Sequence, residues 1–114
     1  MATRFEIVRE HDEFSFLLRT DDGEVILRGL GSPSKVMTQN EILHLRKSLR
    51  DDSHMVPHED DAGLRFVVVK DDDGAVLARS AKVDTEDALL SLERRMIDAA
   101  SAPMIDLARK PRAS

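Results

Sequence analysis

The chain has no cysteine, no tryptophan and no tyrosine; its aromatic side chains are Phe5, Phe14, Phe16 and Phe66. Without thiols there are no disulfides, zinc–thiolate sites, iron–sulfur clusters or thiol catalysis. A surface for single-stranded nucleic acid combines stacking aromatics with a basic groove, and this chain is poor in both. Lys and Arg number 17 against 22 Asp and Glu, for a net charge of −5. That balance repels phosphate backbones and anionic membrane surfaces, so nucleic acid is disfavoured and no membrane partner is expected. No segment has the apolar length of a signal peptide or a membrane span, which makes the cytoplasm the expected compartment. What remains is 114 residues with a hydrophobic share of 41%, enough for one domain with a core and too little for two.

The ordering of these residues repeats. Phe14-Ser15-Phe16-Leu17-Leu18 recurs as Leu64-Arg65-Phe66-Val67-Val68, fifty residues on. Asp22-Gly23 recurs as Asp73-Gly74, fifty-one on, which places an extra residue before the second turn. Ile42, Leu45 and Leu49 recur as Leu89, Leu92 and Met96, forty-seven on, which implies a shorter loop before a second helix. Three landmarks in one order point to two copies of a single unit.

Each copy reads as three strands and a helix. Phe14, Phe16 and Leu18 alternate with Ser15, Leu17 and Arg19, the period-two pattern of a half-buried strand. Asp-Gly between apolar runs marks a hairpin, because glycine tolerates the positive φ of the turn. Arg4 to Arg9 reads as a preceding strand, and His54 to Glu59 takes that place in the second copy. Pro57 lacks the N–H that a central strand needs and assigns this segment to an edge or a bulge. Ser32-Pro33-Ser34 and Asp84-Thr85-Glu86-Asp87 supply helix caps and first turns. Met104-Ile105-Asp106-Leu107, after Pro103, is placed to close the sheet.

The expected fold is therefore α+β. A duplicated β-β-β-α unit forms one mostly antiparallel sheet with two helices on one face and a C-terminal closing strand. Residues 1–114 make a single domain, with repeat 1 over 4–52, repeat 2 and the closing strand over 53–109, and a flexible tail over 110–114.

The segments Phe14-Ser15-Phe16-Leu17-Leu18, Asp22-Gly23-Glu24-Val25-Ile26-Leu27 and Ser34-Lys35 resemble the YegP-like family of uncharacterised bacterial proteins. The resemblance spans residues 4–109 and implies a strand-strand-strand-helix unit, in tandem or in single-unit chains that dimerise. The family's helix motif Gly-Ile-x-Ser-Val stands here as Glu41-Ile42-Leu43-His44-Leu45 and Ala88-Leu89-Leu90-Ser91-Leu92, so its glycine is missing from both. The family brings no established activity, catalytic residue or cofactor.

Candidate chemistry is sparse. His54 and His58 are spaced as a helical zinc pair, but Pro57 argues for a strand, in which they stand about 13 Å apart. A site from His58, Glu59 and Asp61 requires a curled loop; solvated strand-end residues are the plainer reading. Asp71-Asp72-Asp73-Gly74 suggests calcium, yet counting back from Gly74 makes Val69 first and Ser80 twelfth, which fails the EF-hand pattern. His44, Arg46, Lys47 and Arg50 form a basic stretch near the end of the first helix, where cations complement the dipole. No catalytic, metal or cofactor-binding residue is assigned.

If Phe5, Phe14, Phe16, Leu64, Phe66 and Val68 face the helices, then Val8, Leu17, Val67 and Val69 point away as an apolar patch. A contiguous patch of this kind marks a partner surface. The functional expectation is a non-enzymatic protein-interaction or self-association module, monomer or homodimer. The alternative is a small-ligand or metal-binding domain centred on residues 54–61 or on the basic helix end.

Overall fold

The alternating segments near the N-terminus form strands β1 (Arg4–Glu10) and β2 (Glu13–Arg19), and the Asp-Gly turn leads to β3 (Val25–Gly29). Helix α1 (Lys35–Ser48) follows, then β4 (Met55–Glu59), β5 (Arg65–Lys70), β6 (Val76–Ser80), helix α2 (Glu86–Asp98) and β7 (Met104–Asp106). These elements come from a computed structural model that describes residues 2–108; the tail expected over 110–114 lies outside them. The fold is α+β, with one mixed seven-stranded sheet in the order β4-β5-β6-β3-β2-β1-β7. The closing strand β7 runs parallel to β1, and the other neighbouring pairs are antiparallel. Pro57 sits in edge strand β4, where no outer neighbour asks for its missing N–H.

Local chemistry explains the boundaries. Gly23 and Gly74 take φ of +92° and +85°, which an L side chain resists. Their N–H groups donate to Thr20 O at 3.0 Å and Asp71 O at 3.1 Å. Ser34 caps α1 by accepting from the Met37 N–H, and Thr85 caps α2 by accepting from the Ala88 N–H. One buried cluster joins Ile42, Leu45 and Leu49 to Leu89, Leu92 and Met96, and these to Phe5, Ile7, Phe16, Leu18, Leu27, Val67, Val69 and Ala78. Phe5 and Phe16 meet edge to face, 6.3 Å between centroids. A Cβ at Gly29 would overlap the Phe16 ring, so the bare backbone there makes room for this contact.

The correspondence between the two halves differs from the sequence expectation. Phe14 bridges Ser32, and Arg65 bridges Val83; both members of the second bridge lie 51 residues on. Ladder irregularities between Leu18 and Arg19 and between Val69 and Lys70, the turn glycines, and the caps Ser34 and Thr85 keep that spacing. Phe16 therefore answers to Val67, not to Phe66. The extra residue lies in the β4–β5 connection, where Asp60 N–H donates to Leu64 O, and not before the second Asp-Gly turn. The loop before α2 is not shortened.

With that spacing, Glu41 stands where α2 has Leu92, and Glu93 stands where α1 has Ile42. Both carboxyls are half-buried, and Glu41 Oε2 is buried with no hydrogen-bond partner. Burial raises the Glu41 pKa, with His44 opposing. Burial raises that of Glu93 as well, helped by repulsion from Asp52. Because the folded pKa exceeds the unfolded value, the folded chain binds protons first, and stability falls as pH rises from the ordinary 4.5 through the raised value. Glu41→Leu and Glu93→Ile should each stabilise by about 1 kcal/mol at pH 7, and the gain should narrow as pH drops toward 4.5. Thermal unfolding of both variants at several pH values checks this; an unchanged Tm at pH 7 would contradict it.

Candidate functional site

Side chains on one face of a sheet line up across strands. On the face opposite Phe5, Phe16 and Val67, one such row crosses the whole sheet: Ile105, Glu6, Leu17, Arg28, Arg79, Val68 and Val56. Its centre is a pair of arginines, Arg28 on β3 directly opposite Arg79 on β6. Cβ atoms so opposed are about 5 Å apart, and like charges there destabilise the sheet. Both arginines are exposed. Neither guanidinium has a hydrogen bond, ion pair or ring contact among the described residues. Beside them, Leu17 and Val68 are 6% and 5% exposed, consistent with arginine stems lying along apolar neighbours while their heads stay in water.

At the β1–β2 end of this face one buried acid offsets part of the positive charge. Glu6 accepts from Arg4 Nε at 2.8 Å and from Arg19 Nε at 2.9 Å, with only 4% of its surface exposed. Burial alone would raise its pKa, but the hydrogen bonds from Arg19 and Arg4 and their charges prevail and hold it below the ordinary range. In the other half, β4 carries Val56 at the matching place in the row, and Lys70 occupies the position of Arg19. Among the described residues no acid balances Lys70. Counting Arg4, Arg19, Arg28, Lys70 and Arg79 against Glu6, Glu10 and Glu13, the last two lining one cleft with Arg28, this part of the face is still cationic although the chain is net −5.

The residues expected to form an apolar patch are dispersed. Val67 and Val69 are wholly buried in the cluster shared with the helices. The physical reason is register: the 51-residue spacing shifts β5 by one position, and a one-residue shift turns every side chain to the other face. Phe66 and Val68 consequently point outward, and His58 stacks on Phe66 at 5.5 Å. Leu17 lies on the outer face but is nearly covered, and Val8 is half-buried. Arg28 and Arg79, which replace the patch as the conspicuous feature, each stand five residues after the turn glycine. That repeated arginine was the available signal, hidden behind the apolar alternation.

The other candidates resolve as follows. His54 Nε2 lies 3.2 Å from Asp72 Oδ1, whereas His58 stacks on Phe66, so the two imidazoles serve different neighbours. Among the described residues no three His, Asp or Glu side chains gather as metal ligands. The Asp71 carboxylate accepts from the Asp73 and Ala75 N–H groups and so holds its own turn. On the basic end of α1, Arg46 donates to Ala102 O at 2.7 Å. His44 and Lys47 share a cleft of about 200 Å³ with Asp71, Asp72 and Asp73. Three carboxylates beside that cleft oppose a phosphate. No described helix is long and apolar enough to cross a membrane.

No protein-family model matches the chain, and no curated protein matches it. Two solution NMR structures are similar. One is yegP from E. coli, a protein of unknown function, with a TM-score of 0.89 at 18% identity over 97% of each chain. The other is a UPF0339 protein from Shewanella oneidensis, with a TM-score of 0.87 at 16% identity over 95% of this chain and 93% of that one. At these identities the likeness is one of fold.

The Glu6 network yields a pH signature. Its depressed folded pKa contributes stability that is complete above the ordinary carboxylate range and is lost as pH falls through the folded value. Glu6→Gln should cost about 2–3 kcal/mol at pH 7, since it leaves Arg4 and Arg19 without their shared anion. The difference from the unmodified chain should narrow as pH falls below the ordinary 4.5. Urea unfolding at pH 7 and pH 3 measures both; a cost independent of pH would point to lost packing instead.

Proposed function

We propose that the chain is a non-enzymatic interaction module whose docking surface is the sheet face bearing Arg28 and Arg79. The observation that carries this reading is the opposed, unpaired arginine couple at the centre of the seven-residue row. Two like charges on adjacent strands work against folding, and a partner supplying the opposite charge offsets that cost. Arginines set among apolar neighbours are the residues that dominate protein interfaces. Face-to-face pairing of two copies about this couple brings four guanidinium groups together, so electrostatics favour a different chain as occupant over self-association.

The same reading treats the chain as a tandem duplication forming one domain, with both helices on one face. The recurrent 51-residue spacing supports duplication. The cluster that unites residues of α1 and α2 with one alternating set of sheet side chains supports the placement. In the β3–β6 register, Leu27 pairs with Ser80 and Gly29 with Ala78 around Arg28–Arg79, the pattern of a pseudo-twofold axis through the arginine couple.

A photo-crosslinking residue at Val56 or Leu30 samples the proposed surface, and one at Leu90 samples the exposed side of α2. In the chain's own cells, a discrete protein adduct should form from Val56 and from Leu30, the residue just past β3, be absent from Leu90, and disappear with Arg28→Glu/Arg79→Glu. Adducts that ignore position, or that survive the charge reversal, would overturn the docking surface. The duplicated architecture has its own test. Residues 1–52 alone lack β6 as a partner for β3, so they should be unfolded or dimeric by circular dichroism and light scattering. A cooperatively folded monomer would refute the interdependence of the halves.

A further inference from the structure

Resting on that reading, we infer that the occupant of the Arg28–Arg79 face is an acidic segment of a protein partner, with a side-chain carboxylate held between the two guanidinium groups.

Three features point to an anionic chain. First, the guanidinium is a planar fork of N–H donors that matches a carboxylate or a phosphate in two parallel hydrogen bonds, and here two forks stand side by side with no acceptor among the described residues. Second, the cations continue outward from that pair: Arg19, Arg28, Arg79 and Lys70 lie on β2, β3, β6 and β5, four consecutive strands of the sheet. With strands about 4.8 Å apart, and Arg19 and Lys70 each two residues off the Arg28–Arg79 row in opposite directions, this diagonal line spans roughly 20 Å, the reach of about six extended residues. Third, the two clefts that Arg28 lines hold about 250 and 240 Å³, below the roughly 300–1,000 Å³ of small-molecule sites, so an extended chain laid across the strands suits the face better. Leu17 and Val68 flank the pair but are nearly covered, so the carboxylates of the segment carry its recognition.

Other anionic partners fit less well. A phosphate polymer is held by many cations and, when single-stranded, by stacked aromatics. Here the cationic line is short, its outward ring Phe66 is already stacked with His58, and the chain as a whole is net −5. An anionic bilayer meets the same overall charge across a much larger area. A short carboxylate segment contacts only the cationic line and avoids the acidic remainder.

The test is titration of the isotopically labelled full chain, by amide NMR, with the capped hexapeptide Glu-Leu-Glu-Glu-Leu-Glu. Controls are the same peptide with lysine in place of each glutamate, inorganic phosphate, a short single-stranded RNA, and vesicles rich in phosphatidylserine. The expected result is a set of shifts confined to β2, β3, β5 and β6 around Arg28 and Arg79, produced by the acidic peptide and not by the lysine version. Affinity should weaken as salt rises. It should fall roughly tenfold or more in Arg28→Thr/Arg79→Thr, and partly in Arg28→Lys/Arg79→Lys, which keeps charge but loses the fork. Thermal melting verifies that both variants are folded; threonine removes the like-charge opposition and favours strands, so the first should melt no lower than the unmodified chain.

Absence of shifts at millimolar peptide, or shifts unchanged in the threonine variant, would overturn the inference. So would tighter binding of the RNA or the vesicles than of the peptide, and equal binding of phosphate alone would reduce the site to a general anion clamp and overturn the acidic segment. Position-dependent crosslinks from Val56 or Leu30 together with no peptide binding would leave the docking surface standing and remove only the acidic partner.

Discussion

The antiparallel pairing of β3 with β6 is the constraint on which the rest depends. Among the described residues it is the one junction in the sheet order between the strands that precede α1 and those that lie between α1 and α2. Across it, Leu27 and Ala78 enter the same apolar cluster as residues of both helices, so backbone hydrogen bonding and burial act on the same residues. The junction also imposes a cost that neither half carries alone, because it brings Arg28 opposite Arg79. The destabilising charge pair and the stabilising core thus arise from one register, and sliding that register by a residue would reverse the facing of every side chain on the strand that moved.

Matching backbone positions in the two halves hold different chemistry. Glu41 and Leu92 share one helical position, and Ile42 and Glu93 share another. Each helix therefore presents one carboxyl where the other presents an aliphatic side chain, and in both cases burial raises the carboxyl's pKa. On the outer sheet face, Glu6 and Val56 occupy corresponding places in the row. Glu6 satisfies two arginines, while Val56 leaves Lys70 without an acid among the described residues. Unlike side chains at these places make the face less positive toward β1, where Glu6 offsets part of the charge of Arg4 and Arg19, than toward β5, and this gives the proposed docking surface its electrostatic direction.

Much of the local structure was legible in the residues. The alternation through Phe14, Phe16 and Leu18, the two Asp-Gly turns, the Ser34 and Thr85 caps, and the edge location of the strand containing Pro57 all express short-range rules. Errors entered where two readings of a long-range alignment were nearly equal. Phe66 resembles Phe16 in type, so matching by residue identity put Phe66 in the core, whereas the ladder matches Phe16 with Val67. The forty-seven-residue match of the helical leucines arose in the same way, since a helix stripe repeats every three or four residues and tolerates a shift of about one turn. The strand register alone moves the candidate surface: Val67 and Val69 leave it, and the arginines take their place.

By itself the sequence determined the element types, the turn positions, the α+β class and the exclusion of thiol chemistry, because each follows from residues close together in the chain or from composition. Tertiary structure alone decided which face each β5 side chain occupies, that β7 joins β1 in parallel, and that Arg28 and Arg79 meet. Those outcomes depend on pairing register between distant strands. Period-two alternation in a strand that is apolar on both sides, as in Phe66-Val67-Val68-Val69, carries no information about which set turns inward until a neighbouring strand fixes it.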